Sequence, residues 1–225
     1  MKGMILAAGR GERMRPLTEH TPKPLLEVGG KPLIVYHIER FKQAGIDDIV
    51  INIAHLGERI IEALGDGRRW NVRITYSDER AEGGLETLGG IVKALPILGD
   101  EPFWVVNADI FTDFQLHCHA DMPTDGAYLV LVPNPPHNPQ GDFDITGKKI
   151  IDRRAYTFAG IGRYEPGFFR GVEYGKAPLA PLLRRAMHEG RVHGELYEGI
   201  WTDVGTPQRL QELDDALRNG SLRLN

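Results

Sequence analysis

Met4-Ile-Leu-Ala-Ala-Gly-Arg-Gly-Glu-Arg-Met-Arg-Pro-Leu-Thr18, followed by Pro22-Lys-Pro-Leu-Leu26, decides how the rest of the chain is read. Its apolar start is a strand-sized run that feeds Gly9 and Gly11. Without a Cβ, backbone can approach a ligand closely, and successive N–H groups can form an anion-binding concavity. Arg13, Arg15 and Lys23 bring full positive charges to the same place, the combination a triphosphate needs. Lys23 stands between two prolines, whose fixed backbone holds one ammonium rigidly. Two familiar phosphate motifs fail: Met14 occupies the third glycine of the dinucleotide fingerprint, and no Gly-Lys-Ser/Thr follows. Taken alone, the glycine pair also suits a tight connection, and the arginines suit a solvated loop.

Outward from this stretch, helical and strand patterns alternate. Pro32 to Ala44 has apolar residues at helical spacing, with proline at the start and Gly45 as a stop. Ile49 to Ile53, Val72 to Tyr76, Phe103 to Asn107, Ala127 to Val132 and Phe158 to Tyr164 read as strands. Ile60 to Leu64, Gly89 to Leu95 (stopped by Pro96) and Leu179 to Glu189 read as helices, and Thr206-Pro207 caps a last one. Pro133 to Gly147 has no apolar period and reads as a long loop. The alternation predicts an α/β fold: one Rossmann-like domain over 1–225, with a mostly parallel central sheet flanked by helices. Its nucleotide half covers about 1–110 and its second half about 111–225. Ligands of such sheets sit beyond the carboxyl ends of the strands.

The 225 residues carry a net charge of −4, 41% apolar residues and one cysteine, Cys118. That balance excludes a disordered chain and a disulfide scaffold. No apolar run approaches the roughly 20 residues of a membrane span, and the start does not read as a signal peptide. A mildly acidic chain argues against nucleic acid as a partner. The expected location is the cytoplasm. His117-Cys-His119 near Asp121 lacks zinc-site spacing and a second ligand pair.

Asp109 follows one strand, and Asp203 lies in Trp201-Thr-Asp-Val-Gly205. Two distant carboxylates can meet in a fold and hold one Mg²⁺, which takes one or two carboxylates plus substrate phosphates. Either aspartate alone also reads as a turn cap. The opening motif, with Glu86-Thr-Leu-Gly-Gly90, Val106-Asn-Ala-Asp109, Thr157-Phe-Ala-Gly-Ile161 and Trp201-Thr-Asp-Val-Gly-Thr206, resembles the sugar-1-phosphate nucleotidylyltransferases. The resemblance runs along nearly the whole chain. It implies UTP and a sugar 1-phosphate as substrates, in a monomer or small homo-oligomer with Mg²⁺ held by Asp109 and Asp203. N-acetylmuramate 1-phosphate, in peptidoglycan recycling, is the sugar phosphate it implies. Guanylyl transfer to mannose 1-phosphate or a heptose 1-phosphate is the alternative.

The resemblance further assigns Arg15 and Lys23 to catalysis. It assigns Ala8, Gly9, Gly11, Glu12, Arg13, Lys23, Glu79, Gly84, Thr87 and Asn107 to the nucleotide. Glu79 stands where several relatives carry a base-facing glutamine. As an ionised acid it accepts only, so it could take N3–H of uracil while N–H groups near Gly84 serve the carbonyls; guanine's two adjacent donors would suit it too. An exposed loop acid is the competing reading. Gly141, Asp142, Arg154 and Gly160 are assigned to the sugar phosphate. Relatives carry Glu-Lys-Pro before that strand, where this chain has Asp152-Arg-Arg154. Arg153 or Arg154 then meets the sugar phosphate or a lactyl carboxylate, or forms a solvated pair. A regulatory nucleotide-binding module and a metal-dependent glycosyltransferase are the rival classes; neither requires the Pro-Lys-Pro lysine beside a carboxylate pair.

Overall fold

The computed structural model describes residues 1–117 and 121–223. Cys118 and His119 of the rejected zinc pattern lie outside the described residues. In chain order the first half comprises β1 (Gly3–Leu6), β2 (Glu27–Val28), β3 (Lys31–Pro32), α1 (Leu33–Gln43), β4 (Asp48–Ile53), α2 (Gly57–Leu64), β5 (Arg73–Asp78), α3 (Glu86–Leu98) and β6 (Phe103–Asn107). The second half comprises β7 (Ile110–Thr112), β8 (Ala127–Val132), β9 (Phe143–Thr146), β10 (Lys149–Tyr164), α4 (Ala180–His188), β11 (Val192–Leu196), β12 (Trp201–Asp203) and α5 (Pro207–Arg218).

The central sheet runs β11-β8-β10-β6-β1-β4-β5, with β9 on β10. β1 is parallel to both β4 and β6, β4 to β5 and β11 to β8; β10 runs against β6 and β8. The α/β, mostly parallel sheet expected from the alternation is therefore present. After β1 the chain moves outward through β4 and β5, then returns to the other side of β1 as β6. That reversal is a topological switch point, where a crevice opens beyond the strand ends. Leu6 is in register with Asn52 on one side and Asn107 on the other, so two asparagines flank it at that edge.

Alternation along the strands builds two apolar layers. Ile5, Trp104 and Val106 face Ile34, Ile38 and Phe41 of α1. Met4, Phe103 and Val105 share the other layer with Ile91 and Leu98 of α3 and Leu183 of α4. A third cluster joins Met14, Val28, Leu33, Phe111, Val204 and Leu213. Met14 is 0% exposed. A buried methionine at this position anchors the loop in the core, which a third glycine could not do; such burial contributes about 1.5–3 kcal/mol.

Three expectations need correction. α3 continues to Leu98 through Pro96. The proline lies in the last turn, where few backbone bonds remain to be lost, and buried Leu98 holds that turn. The stretch read as loop before Gly147 contains β9, whose buried Phe143 pairs with Tyr156 of β10. β10 is far longer than Phe158 to Tyr164, because it crosses two register shifts that disguise its period.

Buried His37 ties α1 to β7. Arg40 can only donate, so His37 Nδ1 accepts from its Nη1 at 3.1 Å. Nε2–H then donates to the Ile110 carbonyl at 2.9 Å, and Arg40 also donates to the Thr112 carbonyl. Burial, reinforced by the Arg40 charge, pushes the His37 pKa down from 6.5 to about 3. The unfolded chain therefore takes up a proton below about pH 6.5 that the native state refuses, at a cost near 1.4 kcal/mol per pH unit. Stability is expected to be full above that pH and to fall between about pH 6.5 and 3. His37→Gln should flatten this slope, measured by urea unfolding at several pH values.

Candidate active site

A cleft of about 530 Å³ opens at the switch point. Its walls include Ala8, Gly9, Gly11, Glu12, Arg13 and Lys23 from the glycine-rich loop, Gly84 and Thr87 from the β5–α3 connection, and Asn107 and Asp109 after β6. Gly11 adopts φ +63°, a left-handed conformation that favours glycine. A Cβ there would also stand 2.9 Å from Thr18 Cγ2 and 3.3 Å from Lys23 Cβ. Thr18 Oγ1 donates to the Gly11 carbonyl at 2.7 Å, closing the loop on itself. Gly9 is crowded by no protein atom; its missing side chain keeps the wall open to a ligand.

Lys23 begins a short turn between the two prolines, with Leu26 N–H donating to its carbonyl at 3.1 Å. The side chain is 11% exposed and its Nζ lies 2.6 Å from Asp109 Oδ2. Asp109 directly precedes β7, and Asp203 ends β12. The two strands pair antiparallel with Ile110 opposite Asp203, and Val204 N–H donates to the Asp109 carbonyl at 2.7 Å. This ladder sets the backbones of the two distant aspartates side by side; Asp109 lines the cleft, and Asp203 is not among its wall residues. Trp201 Nε1–H donates to the Ala159 carbonyl at 2.9 Å, fastening β12 to β10.

Asp203 Oδ2 faces Arg209 Nη2 at 3.2 Å. Gly205 makes room for this pair, since a Cβ there would collide with the Arg209 guanidinium. His137 Nε2 stands 2.7 Å from Asp203 Oδ1, but off the hydrogen-bonding direction, and that buried oxygen receives no hydrogen bond. A buried carboxylate oxygen without a donor is suited to a cation. Among the described residues no cluster of three or more His, Cys, Asp or Glu could cage a metal. Asp109 on the cleft wall and Asp203 beside it in the ladder are the oxygen donors that magnesium takes together with substrate phosphates, since it dehydrates reluctantly and rarely sits in an all-protein cage.

Several candidate residues sit elsewhere. Arg15 is exposed and not on the cleft wall; Arg10 and Arg13 are. Buried Met14 fixes its neighbours in the loop, and Arg13 is the one that borders the cavity. Glu79 is 0% exposed and does not reach the cleft. Its Oε1 accepts from Asn52 Nδ2 and its Oε2 from Leu85 N–H, each at 2.8 Å. Burial pushes its pKa up, against the two hydrogen bonds. The N–H of Gly84 is engaged too, by the Glu79 carbonyl at 3.2 Å. Neither group is then available to a base as the sequence suggested.

Gly141, Asp142, Arg154 and Gly160 do not line this cavity. Asp142 Oδ2 accepts from Phe158 N–H at 2.9 Å and fastens the loop to β10. Gly141 fits where a Cβ would meet the Tyr156 carbonyl at 2.7 Å. Exposed Arg154 donates to Gln140, Arg153 is held by Asp144, and Asp152 pairs with Arg184. Gly160 acts at one remove: a Cβ there would lie 2.6 Å from Asn107 Nδ2. The sequence reading passed over Asn52, Arg10, Lys176, His137 and Arg209. Asn52 had a signal, a polar residue inside the apolar run Ile49 to Ile53. Lys176 borders the cleft 3.7 Å from Glu86 and comes from an irregular segment with no motif.

The nucleotidyl transferase family profile matches residues 2–142. N-acetylmuramate alpha-1-phosphate uridylyltransferase from Neisseria meningitidis serogroup B is 53% identical over 94% of this chain and 96% of its own. Mannose-1-phosphate guanyltransferase from Aspergillus fumigatus is 33% identical over 92% of this chain but only 62% of that enzyme. Among solved structures, a Bacillus anthracis protein assigned as a glucose-1-phosphate thymidylyltransferase superposes with a TM-score of 0.85 at 23% identity, covering 100% of this chain and 97% of its own. That last likeness concerns the fold.

Arg13→Ala is expected to weaken triphosphate binding by about tenfold or more, the scale of a lost charge-assisted contact. Arg15→Ala should stay within about twofold of the parent. Calorimetric titration of UTP into both variants distinguishes the two arginines.

Proposed function

The chain belongs to the nucleotidyl transferase family, and from that membership we propose that it transfers a uridylyl group from UTP to N-acetylmuramate 1-phosphate, giving the UDP-sugar and pyrophosphate. The observation that carries the reaction class is the Lys23–Asp109 pair on the wall of the cleft beside the glycine-rich loop, with Asp203 adjacent to Asp109 along the β7–β12 backbone ladder. The substrates are supported by the end-to-end likeness to the Neisseria enzyme. The guanyltransferase likeness is weaker and spans only part of that longer enzyme.

A sugar 1-phosphate has its second pKa at about 6 and arrives largely dianionic. It needs no general base. One of its oxygens forms a bond to the α-phosphorus of UTP while the α–β bridging bond breaks, and pyrophosphate leaves with the electron pair. The obstacle is repulsion between anions. Lys23 and Arg13 oppose it with charges placed in advance, and the backbone of Gly9 and Gly11 allows close approach. Asp109 and Asp203 would hold Mg²⁺, which when bound supplies further neutralisation of phosphate charge. Alignment of the two reactants contributes the rest of the acceleration.

In this reading residues up to about 110 hold the nucleotide, and the sugar phosphate lies toward the later strands, with Asn107 and Gly160 at the border. Arg154 is exposed and available to an anionic sugar. Among the described residues no helix is long and apolar enough to cross a membrane. A UTP-dependent reaction suits the cytoplasm, where it would serve peptidoglycan recycling.

A grid of UTP, GTP, CTP and dTTP against several sugar 1-phosphates, read by pyrophosphate release with Mg²⁺, tests the proposal. Fastest release is expected with UTP and N-acetylmuramate 1-phosphate; faster release with GTP and mannose 1-phosphate would refute it. Lys23→Ala and Asp109→Ala should each lower turnover at least about a hundredfold while melting close to the parent. Near-parental rates in both would remove the site assignment.

A further inference from the structure

Asn52 and Glu79 form a buried polar chain beneath the cleft that the reaction does not use. Asn52 Oδ1 accepts from Ala7 N–H at 2.7 Å. Its Nδ2 donates to Glu79 Oε1 at 2.8 Å, and Glu79 Oε2 accepts from Leu85 N–H at 2.8 Å. Both side chains are almost wholly buried. The chain begins and ends on main-chain N–H groups, that of Ala7 just after β1 and that of Leu85 just before α3, and Ala7 and Leu85 both border the cleft. Gly90 of α3 leaves the space: a Cβ there would stand 2.7 Å from Glu79 Oε1 and 2.8 Å from Asn52 Nδ2.

The arrangement has a parity requirement. Main-chain N–H groups at the two ends can only donate. Asn52 accepts once and donates once in line. The remaining group must then accept twice through two separate oxygens, which an ionised carboxylate does and a glutamine does not. With glutamine at position 79, either an amide NH₂ faces Leu85 N–H, or two NH₂ groups face each other. Reversing Asn52 only moves the conflict to Ala7.

We infer that Glu79 and Asn52 are positioning residues for the nucleotide, fixing the separation of the Ala7 and Leu85 backbone walls between which it lies. The inference rests on the nucleotide reading of the cleft. It assigns the carboxylate at position 79 a reason independent of any contact with the base.

The test is a double-mutant cycle of Glu79→Gln and Asn52→Asp. Glu79→Gln places donor against donor, and Asn52→Asp places carboxylate against carboxylate. Together they restore parity: the new carboxylate at position 52 accepts from Ala7 N–H and from the new amide at position 79, whose oxygen accepts from Leu85 N–H. Each single variant is expected to weaken UTP binding, titrated with Mg²⁺, by about tenfold or more, with kcat at saturating UTP within about threefold. The double variant should return to within about threefold of parental affinity. Parental UTP affinity in Glu79→Gln, or a folded double variant no tighter than the weaker single, overturns the inference. A purely structural role would lower melting temperature without raising KM. If a single variant does not fold, a folded double variant with restored affinity still supports the inference. Parental protein that binds GTP and not UTP would defeat the substrate proposal instead, and the same cycle is then read with GTP.

Discussion

Two carboxylates can share a cation only if the chain carries them together and holds them there. The three-residue ladder between β7 and β12 sets the backbones of Asp109 and Asp203 side by side, and it is too short to persist unaided. From one side α1 grips it through His37 and Arg40, which bind the Ile110 and Thr112 carbonyls. From the other, Trp201 fastens it to the Ala159 carbonyl. Beneath it, Phe111 and Val204 are buried with Met14 and Leu33. The site therefore depends on packing that contains no catalytic group.

On the cleft wall Asp109 faces Lys23, and outside that wall Asp203 pairs with Arg209. Incoming phosphates add anionic oxygens to this set and give the cations new partners. The arrangement suits an exchange reaction in which negative charge arrives with two substrates and leaves with two products. It also explains why the glycine-rich loop carries arginines, since glycine lets phosphate approach but neutralises nothing.

Legibility followed locality. The strands around the switch point, the Gly9–Gly11 loop and the Pro-Lys-Pro turn are short-range patterns and were readable in the amino-acid order. The pairing of β7 with β12 is not such a pattern: Ile110–Thr112 and Trp201–Asp203 are too brief to show a period, and only the tertiary fold joins them. Glu79 misled for a related reason. Its residue type suits a base, and nothing nearby in sequence reveals that Asn52 and Leu85 engage both oxygens. Arg15 and Arg13 differ by two positions, and only the burial of Met14 between them decides which borders the cavity. His137 and Arg209 carried no signal because their meaning comes from Asp203.

Met14, near the beginning of the chain, is packed in one apolar cluster with Leu213 of α5. Synthesis runs from Met14 toward Leu213, so the glycine-rich loop leaves the ribosome well before the helix that completes its floor. Until then the loop has its glycines and its arginines but an unfinished seat.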